Sequence, residues 1–203
     1  MTILPMEYSY EGAPATAKVL LPPGFQGNIR SLPDAWLSAI PMIHAPRTIL
    51  DLGVGHGALP CSLTKTYAAH SSSVIHCVDS WEGNKEYSSD YATFIGNLSR
   101  LAPVDIHKIH IHRGRSEEVV PRFNNEMFDI IFIDGNSETH GVLEDAMLSI
   151  RKLKVGGWFI VNHVESDKVR DGISMFILVY TPYFEPMISS HGQLFMRRND
   201  RAL

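Results

Sequence analysis

Thr48-Ile49-Leu50-Asp51-Leu52-Gly53-Val54-Gly55-His56-Gly57-Ala58 decides the fold. Thr48 to Leu52 reads as a short buried strand, because apolar residues dominate a run too short for a helix. Three glycines at alternate positions then let the backbone turn sharply and approach a ligand where a Cβ would collide. A helix is expected from Ala58 to Ala69, so the loop feeds a helix N-terminus whose free N–H groups favour electron-rich partners. Asp51 ends the strand and faces the same loop. Strand, glycine turn and helix together predict a nucleotide-like cofactor site of the doubly wound α/β type.

By spelling, Gly53-x-Gly55-x-x-Ala58 fits the dinucleotide fingerprint, which would make the chain a nicotinamide (NAD(P)) oxidoreductase. An acid two residues before the first glycine, and the spacing Gly53, Gly55, Gly57, point elsewhere. The stretch resembles motif I of the class I S-adenosylmethionine-dependent methyltransferases, Asp/Glu-x-Gly-x-Gly-x-Gly. That resemblance implies that Asp51 holds the methionine end of the cofactor and that the glycines cradle it.

Outward from the loop, strands and helices alternate from residue 47 onward. Expected strands are Val74 to Asp79, Ile106 to His112, Phe128 to Asp134 and Gly157 to Asn162. Ile130-Ile131-Phe132-Ile133 is continuously apolar, as a strand buried on both faces requires. Helices are expected from Tyr87 to about Leu101, Ser116 to Arg122 and His140 to Leu153. Gly156 closes the last of these, and Leu143, Ala146, Met147, Ile150 and Leu153 form its apolar stripe. Ile173 to Tyr180 reads as the end of a helix starting near Glu165. Phe184 to Ile188 and Gln193 to Arg198 read as a hairpin turning at Ser190-His191-Gly192. The resemblance implies a seven-stranded Rossmann-like sheet of order 3-2-1-4-5-7-6, with strand 7 antiparallel.

Residues 1–46 contain seven of the twelve prolines and lack this alternation. They read as an N-terminal appendage to a domain spanning 47–203, with short strands at Met6 to Tyr10 and Lys18 to Leu21. A helix is expected from Pro33 toward Ile43, with Ser31 or Leu32 near its cap. Such a segment covers the substrate side, makes a homodimer contact or simply packs on the sheet; all three stay open.

At 203 residues, 44% hydrophobic and 20% charged, the chain suits one soluble domain. A net charge of -4 argues against nucleic acid as a partner. No run reaches membrane-spanning length, and no leader peptide is evident. Cys61 and Cys77 read as buried thiols, so a cytoplasmic protein is expected. His110 and His112 share one strand face, but no third ligand can be named and a metal reading there is rejected.

Asp79 ends the second strand, where a carboxylate accepts hydrogen bonds from a ribose diol. Ser80 and Trp81 follow; the indole either packs beside an adenosine or belongs to the core. Arg115 and Ser116, after the third strand, lie where relatives set the adenine edge, and Ser116 also suits a helix N-cap.

Phe128 to Asn136, continuing through Gly141 to Asp145 and Leu153 to Gly157, resembles a branch of small-molecule O-methyltransferases. In that branch the fourth strand ends Asp-Gly-Asp/Asn-His and the fifth ends His-Asp. Here Ser137 replaces the histidine and Asn162-His163 replaces His-Asp, which puts metal dependence in doubt, since magnesium prefers oxygen ligands. Asp134, His140 and His163 are expected to be neighbours above the carboxyl ends of strands four and five, where ligands bind in such sheets, with Asp134 in cofactor binding and in catalysis, orienting the acceptor or holding a metal. His163 is the first choice of base, because a neutral imidazole accepts a proton near pH 7; a strand-end histidine bonded to backbone is the plain alternative. The function expected is methyl transfer from S-adenosylmethionine to a small-molecule acceptor, at oxygen before nitrogen. A binding module of the same fold without activity is the non-enzymatic alternative.

Overall fold

The computed structural model describes residues 21–27, 35–82 and 90–203. The strands expected at Met6 to Tyr10 and Lys18 to Leu21, and the start of the Pro33 helix, fall largely outside them. The described end of that helix is one 3-10 turn, Ala35–Ser38.

Strand β4 (Phe128–Ile133) is the middle of the sheet and shows why. Ile131 and Ile133 enter one apolar layer with Phe159, Val142 and Phe176. Ile130 and Phe132 enter the other with Ile49, Leu59, Phe94 and Trp36. A strand with no polar face is stable only between two helical layers. Each such side chain contributes roughly 1.5–3 kcal/mol by leaving water.

Around it lie β1 (Thr48–Leu52), β2 (Val74–Asp79), β3 (Ile109–Arg113) and β5 (Leu153–Val161), all parallel. β7 (Gln193–Arg197) runs antiparallel to β5, and β6 (Ile188–Ser190) antiparallel to β7. The order is 3-2-1-4-5-7-6, as expected. Helices α1 (Ala58–Leu63), α2 (Asp90–Leu98) and α3 (Pro103–Ile106) precede β3 or its neighbours; α4 (Ser116–Val119), α5 (Thr139–Ser149) and α6 (Asp167–Tyr180) follow.

Several expected boundaries are corrected. Helix α1 stops at Leu63, not Ala69, because the Ser62, Thr64 and Thr66 hydroxyls bond carbonyls three or four residues back and the chain winds into turns. β3 starts at Ile109, not Ile106, since Pro103 opens one helical turn instead. Gly156 does not close a helix. It sits at φ 77° inside β5, where Phe128 faces Leu153 but Ile130 already faces Trp158, so β5 uses five residues against two and bulges. α5 is closed earlier, by a 3-10 turn at Ile150–Lys152. Its inward stripe is Val142, Ala146 and Ile150, while Met147 is 46% exposed, because Val142 packs on Gly172 of α6. The hairpin turns at His191 and Gly192, both at positive φ, the primed geometry that matches strand twist. The Phe184 to Ile188 half of the expected hairpin is only a single bridge, Phe184 to Arg198, before β6 begins.

Cys61 and Cys77 are buried free thiols, and burial pushes Cys61 up to about 12. Among the described residues no helix is long and apolar enough to cross a membrane.

Candidate active site

The carboxyl ends of β1, β2, β4 and β5 open on one cleft of about 800 Å³. In open parallel sheets ligands bind at this edge, because crossovers leave a crevice where strand order reverses. Here β1 is that switch point: its neighbours are β2 and β4.

The glycine loop is shaped by what each Cβ would meet. Gly53, Gly55 and Gly57 all have positive φ (88°, 52° and 85°). A Cβ on Gly53 would collide with the Asp134 carbonyl, and one on Gly57 would come within 2.6 Å of the Phe94 ring. A Cβ on Gly55 would meet nothing within 4 Å. Two glycines are thus dictated by packing against protein, while the third borders open space in the cleft.

Asp79 organises this loop from β2. Its Oδ2 accepts the Gly55 N–H at 2.9 Å and its Oδ1 accepts the Trp81 N–H at 2.8 Å. A carboxylate has about four acceptor sites, so capacity for a ligand is left. The Trp81 indole donates to the Gly55 carbonyl at 2.9 Å and stacks on Phe94 with centroids 5.0 Å apart. Trp81 belongs to the core, 7% exposed under the loop at φ 49°, and also lines the cleft, so both roles left open for it stay open. Ser80 lines the cleft and accepts the Glu82 N–H at 3.2 Å.

Asp51 is the most telling residue. It is 1% exposed, and neither carboxylate oxygen has a hydrogen-bond partner among the described residues. Burial, then the nearby Asp134 and Asp79, hold its carboxyl well above the usual range. A buried polar group left unpaired costs on the order of 1–3 kcal/mol or more, and native folds keep few of them. An orphaned acid lining a cleft beside an open glycine is the donor set that a cationic, amino-bearing ligand completes. The residues therefore fit S-adenosylmethionine.

At the far side, Asp134 ends β4 and His163 follows β5. His163 has φ 57°, and its Nε2 stands 3.5 Å from Asp134 Oδ1 while its Nδ1 lies 3.2 Å from Glu165 Oε1. The two residues that sequence paired as catalytic are thus adjacent. His140 lines the same cleft from the first turn of α5 and is exposed. Asn162 is buried at the end of β5, with its backbone N–H on the Ile133 carbonyl. Among the described residues no group of three or more His, Cys, Asp or Glu side chains is set to hold a metal ion.

The adenine-side residues are corrected in part. Ser116 is not the N-cap of α4; that position is Arg115, without a side-chain cap bond. The Ser116 hydroxyl instead donates to Asp145 Oδ1. Arg115 is exposed and pairs loosely with Glu117 at 3.5 Å. Asp145 was not singled out by sequence reasoning, since an acid on a helix reads as solvated. It is buried, and that burial raises its carboxyl to about 6, against the hydrogen bonds from Ser116 and the Asn136 backbone. Equally unforeseen is His56, inside the glycine loop, whose Nε2 lies 2.7 Å from Asp90 Oδ1. Asn97 ties the loop down, donating to the His56 carbonyl at 2.9 Å and to the Gln26 carbonyl at 2.8 Å. No local pattern signals either contact, because both depend on α2 folding back over the loop.

Fold and site together define a class I methyltransferase. The comparisons agree: a methyltransferase domain family model matches residues 50–164, more than half of the chain, and the chain belongs to that family. It is an S-adenosylmethionine-dependent methyltransferase, which sets aside the oxidoreductase reading. A search of curated proteins finds no match. Among solved structures, an O-methyltransferase from Bacillus cereus in complex with S-adenosylhomocysteine shares the fold with a TM-score of 0.58 at 16% identity. That match covers 75% of this chain and 74% of the other. The O-methyltransferase NovP gives a TM-score of 0.56 at 15% identity, over 76% of this chain and 72% of that one.

Proposed function

We propose that this enzyme methylates a small-molecule acceptor at oxygen, with His163 as the base. One observation carries the reading: the His163 ring, on a left-handed backbone at the end of β5, stands beside Asp134 in the same cleft as the orphaned Asp51.

In this reading Asp51 and Asp134 take the amino end of the cofactor, Gly53, Gly55 and Gly57 follow its length, and Asp79 with Ser80 takes the ribose diol. Trp81 supports the loop from below, and Arg115 and Ser116 border the adenine. Bound there, S-adenosylmethionine supplies a methyl carbon made electrophilic by a sulfonium. The chain's work is then to align the acceptor and remove its proton. Alignment contributes most, because the displacement is in line and a held pair reacts as if unimolecular. With the cofactor bound, His163 Nε2 would take the acceptor's hydroxyl proton as the methyl group passes to that oxygen. Its 44% exposed side chain then returns the proton to water. A general base of this kind is worth about 10²–10⁴-fold.

A metal-assisted route is less well supported by the donors present. Asn162 and His163 stand where a carboxylate would be needed, and an imidazole is a poor magnesium ligand. The likeness to O-methyltransferase folds supports oxygen over nitrogen. Residues 21–27 support a covering role for the appendage: Gly27 lies under the His56 ring and Gln26 pairs with Asn97.

Transfer of a labelled methyl group from S-adenosylmethionine to a panel of phenols, sugar hydroxyls and amines tests this. Turnover of a hydroxyl acceptor, reduced about 10²-fold or more in His163→Ala, is expected. Turnover confined to amines, or undiminished in His163→Ala, would overturn it.

A further inference from the structure

The turn after β5 carries an acid with no part in the cofactor cradle. Glu165 follows His163 by two residues, and its Oε1 lies 3.2 Å from His163 Nδ1. The seat for this carboxylate comes from another element. Gly192, in the β6–β7 turn at φ 72°, lies against it: a Cβ there would come within 2.5 Å of Glu165 Oε2. The Gly192 carbonyl accepts the Val164 N–H at 3.0 Å, and the His163 carbonyl accepts the Ser166 N–H at 2.9 Å. Two turns therefore interlock around one imidazole, and His163 is held at φ 57°, a left-handed conformation that non-glycine residues seldom adopt.

We propose that Glu165 is a positioning residue that keeps the neutral His163 ring protonated on Nδ1, so that the Nε2 lone pair faces the cleft. The inference rests on His163 being the base. Two carboxylates flank the ring at unequal distances. Glu165, 3.2 Å from Nδ1, is the nearer acceptor, whereas Asp134 stands 3.5 Å from Nε2, a longer and weaker contact, so a single ring proton is better held on Nδ1. With the proton on Nε2, the Nδ1 lone pair would instead face a carboxylate. The tautomer of a histidine is set by the bond its other nitrogen makes. Histidine in water favours Nε2–H, the form unable to accept a proton at the cleft, so the site has to reverse that preference. When Nε2 takes the acceptor's proton, the ring becomes an imidazolium with both nitrogens protonated, and Glu165 stabilises the new charge. The pair is solvent-exposed and adds little to stability; its effect is on which nitrogen is basic.

The test is a long-range proton–nitrogen NMR spectrum of nitrogen-15-labelled protein, at a pH where His163 is neutral. His163 signals are assigned by their loss in His163→Gln. The Nδ1–H form should dominate in the parent, fall to the minority in Glu165→Ala, and recover in Glu165→Gln, whose amide oxygen still accepts. The same tautomer ratio in the parent and in Glu165→Ala would overturn the proposal. S-adenosylhomocysteine titrated into the parent and the two Glu165 variants should bind all three equally, since Glu165 does not line the cleft. A parent that fails to bind it would count against the cofactor cradle and leave the tautomer result standing.

Discussion

Two buried aspartates at opposite ends of the sheet have opposite surroundings. Asp105, 2% exposed at the end of α3, is gripped by Lys65 and Lys108, the latter at 3.2 Å. Burial works against its charge, but the two lysines outweigh it and hold the carboxyl below its usual range. Asp51, 1% exposed, has no hydrogen-bond partner on its carboxylate among the described residues; burial, then Asp134 and Asp79, raise its carboxyl. The first is a finished structural device, complete within the chain. The second is unfinished, and what would finish it is a positively charged group from outside. A buried charge thus reports on structure or on function according to whether its partner is already present.

The contrast can be broken most severely at Asp105. Asp105→Asn leaves Lys108, 4% exposed, without its counter-ion and should cost about 3–5 kcal/mol in urea unfolding, with S-adenosylhomocysteine affinity unchanged. Weaker cofactor binding there would show that the two ends are coupled.

A third buried titratable group sharpens the comparison through pH. His76 Nδ1 lies 2.9 Å from His112 Nε2, with His110 alongside, and burial, then His112 and His110, bring His76 down to about 4. Its folded value lies below the unfolded 6.5, so the unfolded chain takes the proton first. Stability is then full above about pH 7 and is lost as pH falls from 6.5 toward 4. Between pH 7 and 5 the loss should be about 2 kcal/mol. His76→Phe should lose less over that interval in parallel unfolding curves; identical losses would show that His76 is not the group responsible.

Smaller effects are expected on the cofactor side. Gly55→Ala should cost roughly 1–2 kcal/mol, from the left-handed backbone alone, since its Cβ meets no protein atom. Gly57→Ala, which must displace the Phe94 ring, should cost more. Smallest of all is Asp51→Asn. Replacing an unpaired buried carboxyl that faces two other acids should leave the ligand-free protein as stable as the parent, or slightly more so, by thermal unfolding. A clear drop in Tm would mean that Asp51 already has a structural partner.

The sequence made the central part of this legible for physical reasons. Glycines at positive φ, an apolar β4 and acids at strand ends are local signals, and all lie where expected. What escaped was nonlocal or hidden by competing bonds. The early end of α1 follows from hydroxyls that compete with the helix ladder, and the β5 bulge at Gly156 from register against β4. Asp145 and the His56–Asp90 pair became site residues only when helices folded over the cleft, and Ser116 gave up capping for a partner 29 positions away. His76 escaped as the third member of the His110–His112 face because β2 and β3 had to be aligned first.

The claim beneath all of this is that Asp51 waits for the amino end of an adenosyl cofactor. Calorimetric titration of S-adenosylhomocysteine into the parent and into folded Asp51→Asn tests it most directly. Binding by the parent, lost or weakened at least tenfold in Asp51→Asn without loss of Tm, is the result predicted. Equal affinity in the two proteins would contradict the account.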